Sequence, residues 1–466
     1  MFKPKGGRSY TWARVATPQA AHAMAMQPLA ATPHPSFRAA LASVGVPTTN
    51  KSPEEELVDL LQDAAEIEHG LMLQYLYAAY SAKSQVIKGA LRTIAIEEMG
   101  HFLSVQNLLI ACGAAPYFGR AHWGDPSPFQ PYSFKLESLS IGSLAKYAIG
   151  EMPDPDQVAQ GIKADLPTIM NEADTAAGAP VASHRVGLLY AKIYWLLRDD
   201  DQPLADPAKE PWLGFPVGSM AATPDLKGRH VRGDVVADIG DRNALPEHWI
   251  GNYTSVIVAP ISGRESARKA IARIAAQGEG FANTPQSHFE RLVEAWRIAH
   301  ASPDFALPAA TNPHLGHGTG EEIASVLGRR FAGLSDGLYK LVLLCTAANL
   351  LLPAGMAAAI RRQPARAAIM AMREGLGAVA TVLTTLPLRD GSDTPVCGLP
   401  FSPSPAEVEP QLAAIIASAR ASAMEMHALI ESIGQADDSG ALAGVAESIG
   451  ATLDNEIMPL LESLPV

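Results

Sequence analysis

Residues 65–81 read AEIEHGLMLQYLYAAYS, and residues 97–116 read EEMGHFLSVQNLLIACGAAP. In both, acidic and imidazole side chains interrupt an apolar pattern of helical period. Leu57, Leu61, Ala64, Glu68, Met72, Tyr75 and Ala79 follow one another at steps of three and four, so they share one helix face. Ala90, Ile94, Glu98, His101 or Phe102, Val105, Leu108 and Cys112 do the same in the second stretch. Glu98 and His101, at i and i+3, are neighbours on that face. Glu66 falls on another side, with Asp59, Gln62 and Asp63, and reads as solvated. Glu97 falls with Thr93, Gly100 and Ser104.

A carboxylate facing a core is costly unless it is paired, protonated or bound to a cation. Ser52-Pro53-Glu54-Glu55 starts the first helix: an N-cap Ser, Pro at the first helical position and Glu three residues after the cap. The polar break SAKSQ near residue 84 makes the two helices an antiparallel pair. Glu68 precedes Ser84 by 16 residues and Glu98 follows it by 14. At ~1.5 Å of rise per residue, the two carboxylates come level. A divalent ion would offset their charge and use the imidazole too. Glu on one helix and Glu-x-x-His on its partner is half of a two-metal carboxylate site in a helix bundle. Oxygen-rich donors with one imidazole per ion suit iron or manganese better than zinc or copper. The plainer account is a buried Glu–His pair without metal; the level Glu68 weighs against it.

The same two stretches resemble the ferritin-like domain of the iminophenyl-pyruvate dimer synthase proteins of violacein biosynthesis. AIARIAAQGEG at 270–280, SHFERL at 287–292 and CGLPF at 397–401 fit that family as well. The resemblance runs from about residue 54 to about 401 and implies a non-haem metal site. Glu68, Glu98 and His101 match its first half; Glu279 and His288 match its second. On their own residues, Glu279 extends the Ile271–Ala275 stripe near a helix end, and His288 leads a stripe with Leu292, Ala295 and Ala299. A helix-capping role is an equal account of either. In RVGLLYAKI at 185–193, Leu188 stands where the family pattern has Glu. Five ligands would then serve one or two ions, with His184 or Glu172 as substitutes for the missing one. Tyr75 and His69 are readable as hydrogen-bond partners of ligands, though packing accounts for each.

Further helices are expected at about 184–198, 264–278 and 285–300, across 320–386, and at about 405–434 and 438–463. Residues 117–181 and 199–263 are irregular excursions, with one short strand expected at Ser255–Ala259. The resulting expectation is a mostly α protein: a basic, loosely ordered arm at 1–53, a ferritin-like metal-binding domain with insertions at 54–302, and a C-terminal helical region at 303–466 packed on it. The apolar run Leu341–Ile360 has the length of a membrane span. Pro353 divides it, so it reads as a buried helix and a turn. Gly333–Gly337 matches G-x-S-x-G but lies inside a helical stretch, where a nucleophilic Ser has no strand before it. His314 and His317 read as solvated linker residues, and His427 as a satisfied core histidine.

Composition agrees with a folded chain. Of 466 residues, 48% are hydrophobic and 18% charged, which argues against disorder. A net charge of -12 argues against a phosphate-neutralising surface and so against nucleic acid. Three cysteines exclude a disulfide framework and fit a reducing, cytoplasmic compartment; the N-terminal stretch has no continuous apolar run of a secretory signal. The functional expectation is an iron-dependent oxidase acting with O2 or peroxide on a small organic molecule, such as an imine derived from an amino acid. A metal-binding or storage protein without turnover is the rival. A homo-oligomer is among the arrangements the sequence allows.

Overall fold

The structure, a computed structural model, describes residues 11–14, 45–120, 132–153, 157–178, 185–202, 220, 224–249, 253–280, 286–316, 318–403, 411–437 and 439–464. The helices of seven or more residues run α1 Pro53–Ser81, α2 Gln85–Ala111, α3 Ile141–Gly150, α4 Leu166–Ala177, α5 Arg185–Leu196, α6 Arg264–Gly278 and α7 His288–Ala301. They continue as α8 Val326–Leu351, α9 Ala358–Met370, α10 Gly377–Leu383, α11 Leu412–Ala436 and α12 Ala441–Thr452. The protein is mostly α, as expected. Within the N-terminal arm, the described residues Thr11–Arg14 and Gly45–Thr48 pair as an antiparallel ribbon, Thr11 opposite Thr48. Residues 1–10 and 15–44 of the arm lie outside the described residues.

α1 opens as its sequence dictates. Ser52 accepts from the Glu55 amide, and the Glu55 carboxylate accepts from the Ser52 amide in return. Such a cap stabilises a helix by about 1 kcal/mol. α1 and α2 form the antiparallel pair. α5 packs on α1, α7 on α2 and on α3, and α6 on α5. α1 and α2 are thereby covered on nearly every side, and the faces that looked polar are buried too. Glu66 and Asp63 are core residues, contrary to the expectation of solvation, and Glu97 is buried as well.

Among the described residues, the 117–181 excursion holds two helices of seven or more residues that the apolar pattern did not announce, α3 and α4. No strand forms at Ser255–Ala259; the segment runs extended across α2 with no ladder partner. Side chains of α2 bind part of its backbone instead. Ser104 Oγ accepts from the Ala259 amide at 2.8 Å and donates to the Ile257 carbonyl at 3.1 Å, and Asn107 donates to the Ala259 carbonyl at 2.9 Å. The crossing is possible because residue 100 is glycine: a β-carbon there would stand 2.7 Å from the Ile257 oxygen.

α8 is the single described helix long and apolar enough to cross a membrane, and 72% of its apolar window is buried within the protein. It ends before Pro353, as expected of a core helix and turn, and Gly333–Gly337 lies inside it with no strand before it. The 303–466 helices join the same core as 54–302. Tyr339 Oη lies 2.7 Å from His69 Nε2, Trp249 Nε1 donates to Asn349 Oδ1 at 3.1 Å, and the Tyr77 hydroxyl donates to the Ala310 carbonyl. His427 is partly exposed and pairs with Asp454 at 2.9 Å, so it is not a core histidine. His314 is half-buried against its own loop, and His317 lies outside the described residues.

Candidate metal centre

Glu68 on α1 and Glu98 with His101 on α2 meet, as the levelling of the two helices requires. His101 Nδ1 lies 2.8 Å from Glu98 Oε2 and 3.5 Å from Glu68 Oε2. α7 brings His288 to the other side of Glu98, with Nδ1 2.9 Å from Glu98 Oε1. The two imidazoles stack, their centres 5.5 Å apart. All four residues are buried.

The fourth expected carboxylate does come, but from another place. Leu188 is a buried apolar residue of α5, Glu172 binds Trp296 Nε1 at 2.6 Å and His300 at 3.1 Å, and His184 lies outside the described residues. Instead Glu151, which caps the C-terminus of α3, places Oε2 3.8 Å from His288 Nδ1. Two groups of close, buried, metal-competent atoms result: Glu68 with Glu98 and His101, and Glu98 with Glu151 and His288. Glu98 belongs to both. Glu279, the C-cap of α6, lines the same cavity but stands outside both groups. The cavity is about 10 Å³, the room of roughly one water. Leu71, Val186, Ile274 and Ala275 form its apolar wall.

Two phenols hold the outer carboxylates. Tyr75 donates to Glu151 Oε1 at 2.7 Å, and Tyr190 on α5 donates to Glu68 Oε1. Tyr75 is thus a hydrogen-bond partner at this site. His69 is not: its Nδ1 faces the Phe118 carbonyl and its Nε2 faces Tyr339. Tyr190 lies two residues beyond Leu188, on another face of α5, and had no signal in the sequence. Glu151 was missed because α3 itself was not expected, so its C-cap stood on no recognised stripe.

The buried charges are held by protons in the absence of a cation, and a metal ion would replace those protons. Burial, and then the charge of Glu98, push Glu68 up to about 7. Burial opposes a charged His101, yet its bonds to Glu68 and Glu98 overcome this and push it up to about 10. Glu68 Oε2, Glu98 Oε1 and His288 Nδ1 are buried without a hydrogen bond. Glu98 Oε1 and His288 Nδ1 are close but misaligned for one, as two donors to a common ion would be. The cavity carries four carboxylates, Glu68, Glu98, Glu151 and Glu279, and two divalent ions would balance them. The residues present fit such ions.

The model of the family described as ferritin-like matches residues 61–296, just over half of the chain. The chain belongs to the ferritin-like family. This ferritin-like chain is 27% identical over 329 residues to the 2-imino-3-(indol-3-yl)propanoate dimerase of Chromobacterium violaceum, an alignment covering 62% of this chain and 28% of that one. It is 27% identical over 163 residues to the dichlorochromopyrrolate synthase of Lentzea aerocolonigenes, covering 28% of this chain and 16% of the relative. The ferritin-like chain therefore spans under a third of either curated relative. A ferritin-like protein from Caulobacter vibrioides, 16% identical, aligns with 70% of this chain and 94% of its own at a TM-score of 0.39.

Proposed function

We propose that the two residue groups hold a pair of divalent metal ions, iron or else manganese, and that the chain is a non-haem oxidoreductase of small-molecule biosynthesis. The observation that carries this reading is the pair of buried three-residue groups sharing Glu98, with ligand atoms left without hydrogen bonds. Glu68, Glu98 and His101 would hold one ion, and Glu98, Glu151 and His288 the other. Glu279 lines the cavity beside them. Bound there, iron would supply one-electron chemistry toward O2 or peroxide.

The chain's own residues do the rest. Glu98, common to both groups, would serve both positions. Tyr190 and Tyr75 fix the outward oxygens of Glu68 and Glu151, leaving the inward ones for ions. The apolar wall keeps bulk water from the centre. In this reading residues 54–302 hold the metals, residues 303–466 pack on them, and the three free thiols suit a reducing, cytoplasmic setting. The names of the two curated relatives favour a substrate of their kind, an imine derived from an aromatic amino acid; this step rests on analogy.

Elemental analysis of the purified protein, followed by O2 uptake after anaerobic Fe(II) loading, tests the reading. Metal above one ion per chain with O2 or peroxide consumption is expected, and Glu98→Ala should abolish both. Metal held with neither O2 nor peroxide consumed would favour the rival, a metal-holding protein without turnover.

A further inference from the structure

The two imidazoles of the centre are backed by unlike partners. His288 Nε2 lies 3.1 Å from Glu97 Oε2, a buried carboxylate that also binds Arg291. His101 Nε2 lies 2.9 Å from Gln277 Oε1. The direction of the Gln277 amide is set by its Nε2, which donates to the Ser255 carbonyl at 2.7 Å. A carboxylate and an amide oxygen can only accept, so each imidazole Nε2 carries its hydrogen outward. Nδ1 is then the inward atom of both rings, one facing each oxygen of Glu98.

Within the two three-residue groups the positions match. Each has one imidazole, a share of Glu98 and one further Glu that accepts from a tyrosine. What differs is the group behind the ring: an anion behind His288, a neutral amide behind His101. An anionic acceptor stabilises positive charge drawn onto the imidazole by a bound cation, and makes Nδ1 a stronger donor. Arg291 takes up part of that charge but also keeps Glu97 from turning away.

We propose that the two metal positions are inequivalent, that the His288 position binds a divalent ion more tightly and fills first, and that Glu97 and Gln277 are the positioning residues that set this order. The proposal rests on the two-metal reading above and goes beyond it.

The test is an anaerobic titration of the metal-free full chain with Co(II), followed by visible absorption and calorimetry. Wild type should bind in two steps. With one equivalent of Co(II), an anomalous map should place the ion beside His288. Glu97→Gln keeps the shape and an acceptor but loses the charge, and should weaken the first step about 10–100-fold with the second unchanged. Gln277→Glu should tighten the second step toward the first. A merely structural role would predict the opposite, since a new charge would loosen the site. Because that variant is read as a gain, it also holds the proposal to account if Glu97→Gln misfolds. Two equal steps, a first ion beside His101, or a weaker second step in Gln277→Glu overturns the proposal while leaving the two-metal reading intact. No binding at all overturns the two-metal reading itself.

Discussion

The carboxylate of Glu279 occupies the space beside Gly187: a β-carbon on that glycine would lie 2.0 Å from Glu279 Oε1. The helix that lacks a Glu at Leu188 thus makes room, one residue earlier, for a Glu from α6. Gly187→Ala should turn the flexible Glu279 side chain out of the cavity and leave α5 folded, since Ala is the better helix former by about 1 kcal/mol. Metal affinity of Gly187→Ala should fall to the value of Glu279→Gln, with thermal stability held. Affinity unchanged in both would remove Glu279 from the centre.

Glu98 faces both imidazoles, whereas Glu68 belongs to one group alone. Glu98→Gln should therefore lower metal content below one ion per chain, and Glu68→Gln should leave about one. Plasma emission analysis of the two variants, purified in parallel, distinguishes a shared ligand from two independent ones.

Away from the centre, Lys192 is fully buried with Nζ 3.3 Å from Glu56 Oε1, and Arg229 NH2 reaches Glu56 Oε2 at 2.7 Å. Burial lowers Lys192 to about 8, with Glu56 opposing the shift. This pairing ties α1 to α5 behind the site. Glu56→Gln leaves a buried ammonium without its counter-charge and should cost about 3–5 kcal/mol in urea unfolding. Adding Lys192→Met should recover part of that loss. Strictly additive losses would show that the two groups do not interact.

Asp336 on α8 is pushed up to about 6 by burial, although it accepts from the Ser402 amide at 2.9 Å. Its folded value lies above the unfolded one, so the native state binds the extra proton. Stability from this group is present below about pH 4 and is lost as pH rises through about 6. Asp336→Asn keeps an acceptor without the charge. It should exceed wild type in unfolding free energy at pH 8 by at most about 3 kcal/mol and match it near pH 4. A gap independent of pH would exclude this origin.

Periodicity along α1 and α2 was enough to find Glu68, Glu98 and His101, because a carboxylate in an apolar stripe has few tolerable surroundings and the turn at Ser84 brings the two stripes level. The resemblance to a known family added His288 and Glu279. Glu66, Glu97, Glu151, Tyr190 and the Glu279–Gly187 contact escaped this reading for one reason. A stripe reports which face of a helix meets its first neighbour, and says nothing of a second or third. Here α5 packs on α1 and α6 and α7 on α2, Glu66 and Glu97 are buried, and the unexpected α3 delivers Glu151 from its C-cap. The residues near one another in sequence could be ordered by helix geometry; the partners that complete the centre arrive from helices about 50 to 190 residues away, and chain packing sets their approach.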